Sequence, residues 1–268
     1  MKGVVKKLLC LATAVVLGIS AAACGSGATM NKIEKSGKLV IGTSAEYAPY
    51  EYHTRLDGRD TIVGIDISIA QEISKDLGVQ PEIVDMGFER LIDALNTGKV
   101  DIVIAGMIPD EDREKAVDFS KVYYEARQGV LVRSEDKERI KSVADLSGKK
   151  IGAQSGTVQE KIAKEQFKNS DLTAAGKISD LVLELKDRKI DALVVELPVA
   201  DGYVKNNDDL IISDIKVKEE IGGSAIAVKK GNSELVRLVD KSLDRLRAEG
   251  SIDEFVREAN EKNMTAEK

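Results

Sequence analysis

Apolar residues along this chain follow two alternating patterns. Short runs such as 102–105 and 192–195 are apolar at successive positions, as strands covered on both faces require. Leucines instead recur four residues apart at 91 and 95, and again at 181 and 185, as on the inner face of a helix. Read throughout, the patterns predict strands over 39–43, 82–84, 101–105, 129–133, 150–152, 192–195 and 225–229. They predict helices over 66–77, 91–96, from Pro109 onward, 158–167, 181–185, after Pro198, over 233–247 and over 252–260, with Gly78 and Gly98 closing two of them. The helix over 233–247 gathers leucine and valine at 235, 236, 239, 243 and 246 on one face, and is expected to pack back on the first half of the chain. Regular alternation of strands and helices implies α/β architecture with mostly parallel sheets flanked by helices.

Sliding the chain along itself by ninety residues exposes a duplication. Leu91-Ile-Asp-Ala-Leu-Asn-Thr-Gly-Lys-Val-Asp101-Ile-Val-Ile-Ala-Gly-Met aligns without a gap to Leu181-Val-Leu-Glu-Leu-Lys-Asp-Arg-Lys-Ile-Asp191-Ala-Leu-Val-Val-Glu-Leu. Leu91/Leu181, Leu95/Leu185, Lys99/Lys189 and Asp101/Asp191 are identical, and each copy reads helix, tight turn, strand, then proline. A weaker echo pairs Val40-Ile-Gly-Thr-Ser44 with Lys150-Ile-Gly-Ala-Gln154. Two similar lobes follow, 39–125 plus 225–268 and 126–224. They are joined by crossings near 124–128 and 219–224 that make a hinge.

Ligands of open α/β sheets gather beyond the carboxyl ends of the strands. In the first lobe that position holds residues 105–113, where a helix opening near Pro109 carries Arg113 in about its first turn. Unpaired N–H groups, the positive end of a helix dipole and a guanidinium fork together favour a carboxylate. Alternatively, Arg113 is a surface arginine paired with Glu111 or Asp118. In the second lobe the equivalent position carries Glu196. An arginine from one lobe and a carboxylate from the other match the two ends of a free amino acid.

The first residues set the compartment. Lys2, Lys6 and Lys7 precede an apolar run over 8–19, too short to span a bilayer, which ends at Ala21-Ala-Ala-Cys24-Gly. This pattern is similar to a bacterial lipoprotein signal: 1–23 would be removed, Cys24 lipidated, and 24–38 left as a polar tether of about 50 Å reach. An ordinary signal peptide with a structural Cys24 is the alternative reading. Cleavage would discard Cys10, so the folded part could form no disulfide framework. The formal charge of −6 would become −9, with 37 basic against 46 acidic side chains. That acidity, without a basic stripe, excludes nucleic acid as a partner. His53, the sole histidine, is read in a polar turn at the surface, and with no clustered ligands no metal or other cofactor is expected.

Several motifs, in order and covering essentially all of the chain after residue 24, resemble the polar amino-acid-binding proteins of ABC importers, solute-binding family 3. They are Ile41-Gly-Thr-Ser-Ala-Glu-Tyr47-Ala-Pro-Tyr50-Glu, Val63-Gly-Ile-Asp66-Ile-Ser-Ile-Ala, Ala105-Gly-Met-Ile-Pro-Asp-Glu-Asp-Arg113, Asp118-Phe-Ser-Lys-Val-Tyr-Tyr124, Ile151-Gly-Ala-Gln-Ser-Gly-Thr157-Val-Gln159 and Asp191-Ala-Leu-Val-Val-Glu196. The resemblance implies a two-lobe periplasmic-binding-protein-like fold of type II. It implies a monomeric extracytoplasmic receptor, held to the membrane through lipidated Cys24, that delivers its ligand to an ABC permease. It implies that Arg113 binds the α-carboxylate, helped by Thr157 and by backbone groups of Gly106, Met107 and Ile108. Glu196 stands where the family usually has aspartate for the α-ammonium. Tyr47, Phe88 and Tyr50 are implied to sandwich the ligand side chain, with Gln159 on the second-lobe rim.

Two departures bear on specificity. Ile108 replaces a serine or threonine of many relatives, and Ser44 replaces an aspartate of some that bind basic amino acids, with Glu46 nearby to supply charge. Asp66 is read mainly as a structural carboxylate at a helix N-terminus. With Glu46, Gln154 and Gln159 polar, arginine, lysine, histidine and glutamine all stay open as ligands, and a basic one, arginine first, is favoured. Two other classes also stay open. One is a dehydratase acting on prephenate or arogenate, with Glu196 or Glu46 as general acid. The other is a surface lipoprotein that senses amino acids.

Overall fold

Each apolar run read as a strand is a strand in the computed structural model, which describes residues 26–125, 127–218 and 222–265. Cys10, Cys24 and the expected signal peptide lie outside the described residues, as do residue 126 and residues 219–221 of the expected crossings. The first half contains α1 (Ser26–Ser36), β1 (Lys38–Thr43), β2 (Glu46–Tyr47), β3 (Glu51–Leu56), β4 (Arg59–Val63), α2 (Ile65–Asp76) and β5 (Gln80–Asp85). Next come α3 (Leu91–Asn96), β6 (Ile102–Val103), α4 (Glu111–Ala116) and β7 (Val117–Glu125). The second unit has β8 (Gln128–Arg133), β9 (Lys150–Gln154), α5 (Val158–Gln166), β10 (Asp171–Ala175), α6 (Ile178–Lys186), β11 (Ala192–Glu196), α7 (Leu197–Asn206) and β12 (Leu210–Ile212). The chain then returns through β13 (Gly223–Lys229), α8 (Ser233–Ala248) and α9 (Ser251–Thr265).

Two five-stranded sheets result, ordered β5-β1-β6-β13-β7 and β10-β9-β11-β8-β12. In the first, β5, β1 and β6 are parallel, and β13 runs against both β6 and β7. In the second, β10, β9 and β11 are parallel, and β8 runs against β11 and β12. Four strands of each sheet therefore share one direction. The inward faces are apolar throughout: Leu39, Ile41 and Ile102 in the first sheet and Val130, Leu193 and Val194 in the second are fully buried. Helix α8 buries Leu235, Val239, Leu243 and Leu246 and packs on β7, α1 and α2, as its apolar face predicted.

The ninety-residue duplication has a structural cause. Asp101 accepts a hydrogen bond from the Val40 N–H at 3.0 Å and Asp191 accepts one from the Lys150 N–H at 3.0 Å, so each aspartate pins the first part of an inner strand of its sheet, β1 and β9. Both return their own N–H to the carbonyl of the same residue, at 2.7 Å. Each also meets a cation, Lys32 at 2.7 Å and Arg133 at 3.3 Å. The weaker echo is a packing requirement. A Cβ at Gly42 would sit 3.2–3.3 Å from Val100 and Leu91, and one at Gly152 would sit 2.6–3.2 Å from Ile190 and Leu181, the duplicated counterparts. Only glycine lets helix and strand approach this closely.

Several sequence expectations are corrected. Residues 26–36, expected within a tether, form helix α1, whose Ile33 is buried and whose Lys32 reaches Asp101. The strand expected over 101–105 is only Ile102–Val103, and the helix expected from Pro109 begins at Glu111. His53 lies on β3 rather than in a turn, although it is exposed and bonded to Asp60 as a surface residue would be. The turn is Asp57-Gly58, both with positive φ, and it closes a β3–β4 hairpin whose mostly polar residues carried no strand pattern. Helix α9 extends past the predicted 252–260 and contacts α2, α8 and α7, and Tyr52 donates its hydroxyl to the Ala259 carbonyl at 3.1 Å.

The two aspartates differ in exposure, 2% against 30% for the side chain, and Arg133 keeps Asp136 and two carbonyls if Asp191 is lost. Asp101→Ala is therefore expected to cost about 2–3 kcal/mol, and Asp191→Ala about 1 kcal/mol, in urea unfolding. Equal losses, or none, would show that these carboxylates do not pin the strands.

Candidate functional site

The loops that leave β1, β6 and β9, together with the starts of β3 and α5, meet between the two sheets around a pocket of about 10 Å³, room for about one water molecule. Ser44, Tyr47, Glu51, Phe88, Ala105, Gly106, Ile108 and Arg113 line it from the first lobe, and Gln154, Thr157, Val158 and Gln159 from the second. The lobes touch around its mouth. Lys161 reaches Asp110 at 2.9 Å and Asp112 at 3.4 Å, and on the far side Lys177 and Ser179 both bond Glu46.

Arg113 is buried and has its guanidinium 5.3 Å over the Phe88 ring, a cation–π contact that fixes the plane of the fork. One terminal nitrogen donates to the Ile108 carbonyl, and the other donates across the cleft to the Gly156 carbonyl at 2.6 Å. Each terminal nitrogen thus keeps a second N–H for a carboxylate. Its acidic neighbour is Asp110, at 3.7 Å, not Glu111 or Asp118. Burial lowers the Arg113 pKa and Asp110 opposes that shift, so the group stays cationic in water at any ordinary pH.

The helix start that carries Arg113 is not itself open to an anion. Asp110 caps α4 by accepting from the N–H groups of Asp112 and Arg113 at 3.0 and 2.9 Å. The Gly106 N–H is likewise engaged, donating to Asp66 at 2.8 Å. The open helix start is that of α5, where the Thr157 side chain takes the Glu160 N–H and leaves the first-turn N–H groups of Val158 and Gln159 beside the cavity. Gly106 itself must be glycine: its φ is +54°, and a Cβ would lie 3.3 Å from the Tyr47 ring.

Of the sequence-predicted residues, Arg113, Tyr47, Phe88, Gly106, Ile108, Thr157, Gln159, Ser44 and Gln154 line the cavity. Four do not. Met107 turns its side chain into the core of the first lobe. Glu46 is spent on Lys177 and Ser179 outside the cavity, so it adds no charge within. Tyr50 is fully buried, stacked on Tyr47 with centroids 5.6 Å apart, and buttresses that ring from behind. Glu196 is buried at the end of β11 beside the Tyr47 and Tyr50 hydroxyls, whose pKa values are pushed up first by burial and then by its charge.

The residue that sequence reasoning missed is Glu51. It lines the cavity, is fully buried, and neither of its oxygens receives a hydrogen bond from a donor among the described residues. Burial drives its pKa well up, and the carboxylates of Asp66, Glu196 and Asp85 add to the rise. Its only signal in the sequence is its place between Tyr50 and Tyr52, an acid inside an aromatic turn. Asp66, read as a helix-end carboxylate, accepts from Gly106 N–H and from the Tyr123 hydroxyl at 2.8 Å, and burial raises its pKa to about 6. The site therefore combines a cation and an open helix start, linked through the Arg113–Gly156 hydrogen bond, with buried acids.

The chain is 41% identical over 260 residues to the arginine-binding extracellular protein ArtP of Bacillus subtilis, spanning 93% of this chain and 96% of that protein. Among solved structures it is similar to an amino acid ABC transporter substrate-binding protein from Streptococcus pneumoniae bound to L-arginine, with TM-score 0.85, 36% identity, and 87% and 98% of the two chains covered. It is also similar to an ancestral amino acid-binding protein described as a precursor of cyclohexadienyl dehydratase, with TM-score 0.79, 32% identity, and 86% and 98% covered. The close relatives are substrate-binding proteins of ABC transporters rather than enzymes. Residues 39–260 match the bacterial extracellular solute-binding proteins, family 3, and the chain belongs to that family.

Proposed function

We propose that this protein captures free L-arginine outside the cytoplasm and delivers it to the membrane subunits of an ABC importer. The observation that carries the ligand is the charge set of the cavity: one guanidinium and an open helix start together with a buried acid, Glu51, and Glu196 close by. L-Arginine carries the complement, one carboxylate and two cations. In this reading Arg113 and the start of α5 hold the α-carboxylate. Glu51 receives the side-chain guanidinium, Glu196 acts on the α-ammonium from beside the tyrosine hydroxyls, and Tyr47 and Phe88 flank the methylenes. A neutral ligand such as glutamine offers Glu51 no cation and forgoes this charge pairing. The arginine-binding relatives support the same assignment.

Capture proceeds by closure of 39–125 plus 225–268 on 126–224 about the two crossings. Lys161 with Asp110, and Lys177 with Glu46, then seal opposite rims. Lipidation of Cys24 would keep the receptor at the membrane as a monomer.

Truncating one member of a desolvated charge pair costs about 2–5 kcal/mol, so Arg113→Ala is expected to weaken L-arginine binding by about thirtyfold or more in calorimetry. Near-normal affinity would refute the role of Arg113. Glu51→Gln is expected to lose about thirtyfold or more for L-arginine while citrulline, its neutral isostere, changes only a few fold. Equal losses for both ligands would remove Glu51 as the receptor of the side-chain cation.

A further inference from the structure

The reading of L-arginine as ligand leaves one question of charge. Glu51 and Asp66 are both fully buried acids, and the Asp66 N–H donates to the carbonyl of Tyr50, the residue before Glu51, at 3.0 Å, which brings the two together. Two ionised carboxylates cannot rest side by side away from water, so before a cation arrives they must share a proton. The groups around them offer no alternative. Asp85 on β5 and Glu196 on β11 are further acids, and Tyr47, Tyr50 and Tyr123 keep their protons because burial raises their pKa values. Tyr123 donates to Asp66, not to Glu51. His53, on the same strand as Glu51, is exposed between Asp60 and Asp85. Arg113 is the cation that shares the cavity, and its guanidinium is bound to the Ile108 and Gly156 carbonyls.

We propose that Glu51 and Asp66 form a single proton-holding acceptor, and that a guanidinium reaching Glu51 expels the shared proton to solvent through the closing cleft. The exchange balances: one unit of positive charge leaves the acid pair as another enters. It makes Asp66 a specificity-determining residue although it need not touch the ligand, because a neutral side chain displaces no proton and leaves the pair protonated. The sign follows directly. Capture of the cation requires the deprotonated pair, so affinity for L-arginine is full at alkaline pH and falls as pH drops through the raised range in which the pair takes up its proton, approaching tenfold per pH unit.

The test is calorimetric titration of the full protein with L-arginine at pH 6 in phosphate and in imidazole, buffers of unequal ionisation heat. The expected result is release of about one proton per arginine bound, declining toward zero at pH 9. Asp66→Asn is expected to bring release near zero at pH 6, since an amide N–H supplies the donor that Glu51 lacks, and Glu51→Gln is expected to do the same. Binding of arginine with equal heats in both buffers overturns this inference alone. Proton release that persists in both variants also overturns it, while absence of any arginine binding overturns the ligand reading on which it rests.

Discussion

Charge buried without water constrains this molecule more than any other feature. Between its two sheets it withdraws Arg113, Glu51, Asp66 and Glu196 from solvent, and each such group is costly unless something of opposite sign or a hydrogen-bond donor meets it. Arg113 is met by carbonyls and Asp110, and Asp66 by an N–H and a phenol. Glu51 is met by another acid, and under the function proposed above that mismatch is relieved when a cation arrives. The surrounding tyrosines, Phe88 and Gly106 follow from the same constraint, since they exclude water and set the shape in which charge is matched.

The scaffold supports this arrangement by using one device twice. Asp101 and Asp191 tie the turn after a helix to the first part of an inner strand, β1 or β9, and Gly42 and Gly152 let that strand nestle under the helix. The duplication was visible in sequence because both devices need a particular residue: a carboxylate that accepts an N–H, and a residue without a side chain. Central strands were legible for a related reason, since burial on both faces demands uninterrupted apolar runs. The β3–β4 hairpin and β10 are partly exposed, so no such demand wrote a pattern into them.

At the site, legibility followed the same logic. Arg113 stood out because a guanidinium near a helix start beyond a buried strand suits a carboxylate, and most cavity residues were found through motifs that resemble a known family. Charges that depend on a distant partner were not legible. Whether Glu46 or Glu51 faces inward is decided by Lys177 and Ser179, more than 120 residues away, which claim Glu46 for the rim. Similarly, the helix start expected to hold an anion is occupied by its own neighbour, Asp110, while α5 supplies the open one.

Helix α1 has a consequence for how the receptor meets its importer. With residues 26–36 folded and Lys32 and Ile33 docked on the first lobe, a lipid at Cys24 would be separated from a fixed surface by about two residues, some 7 Å of slack. The domain would then be held closer to the headgroups than a fully extended segment over 24–38 would allow. Handover to the membrane subunits would be a short swing rather than a search by a particle on a long leash.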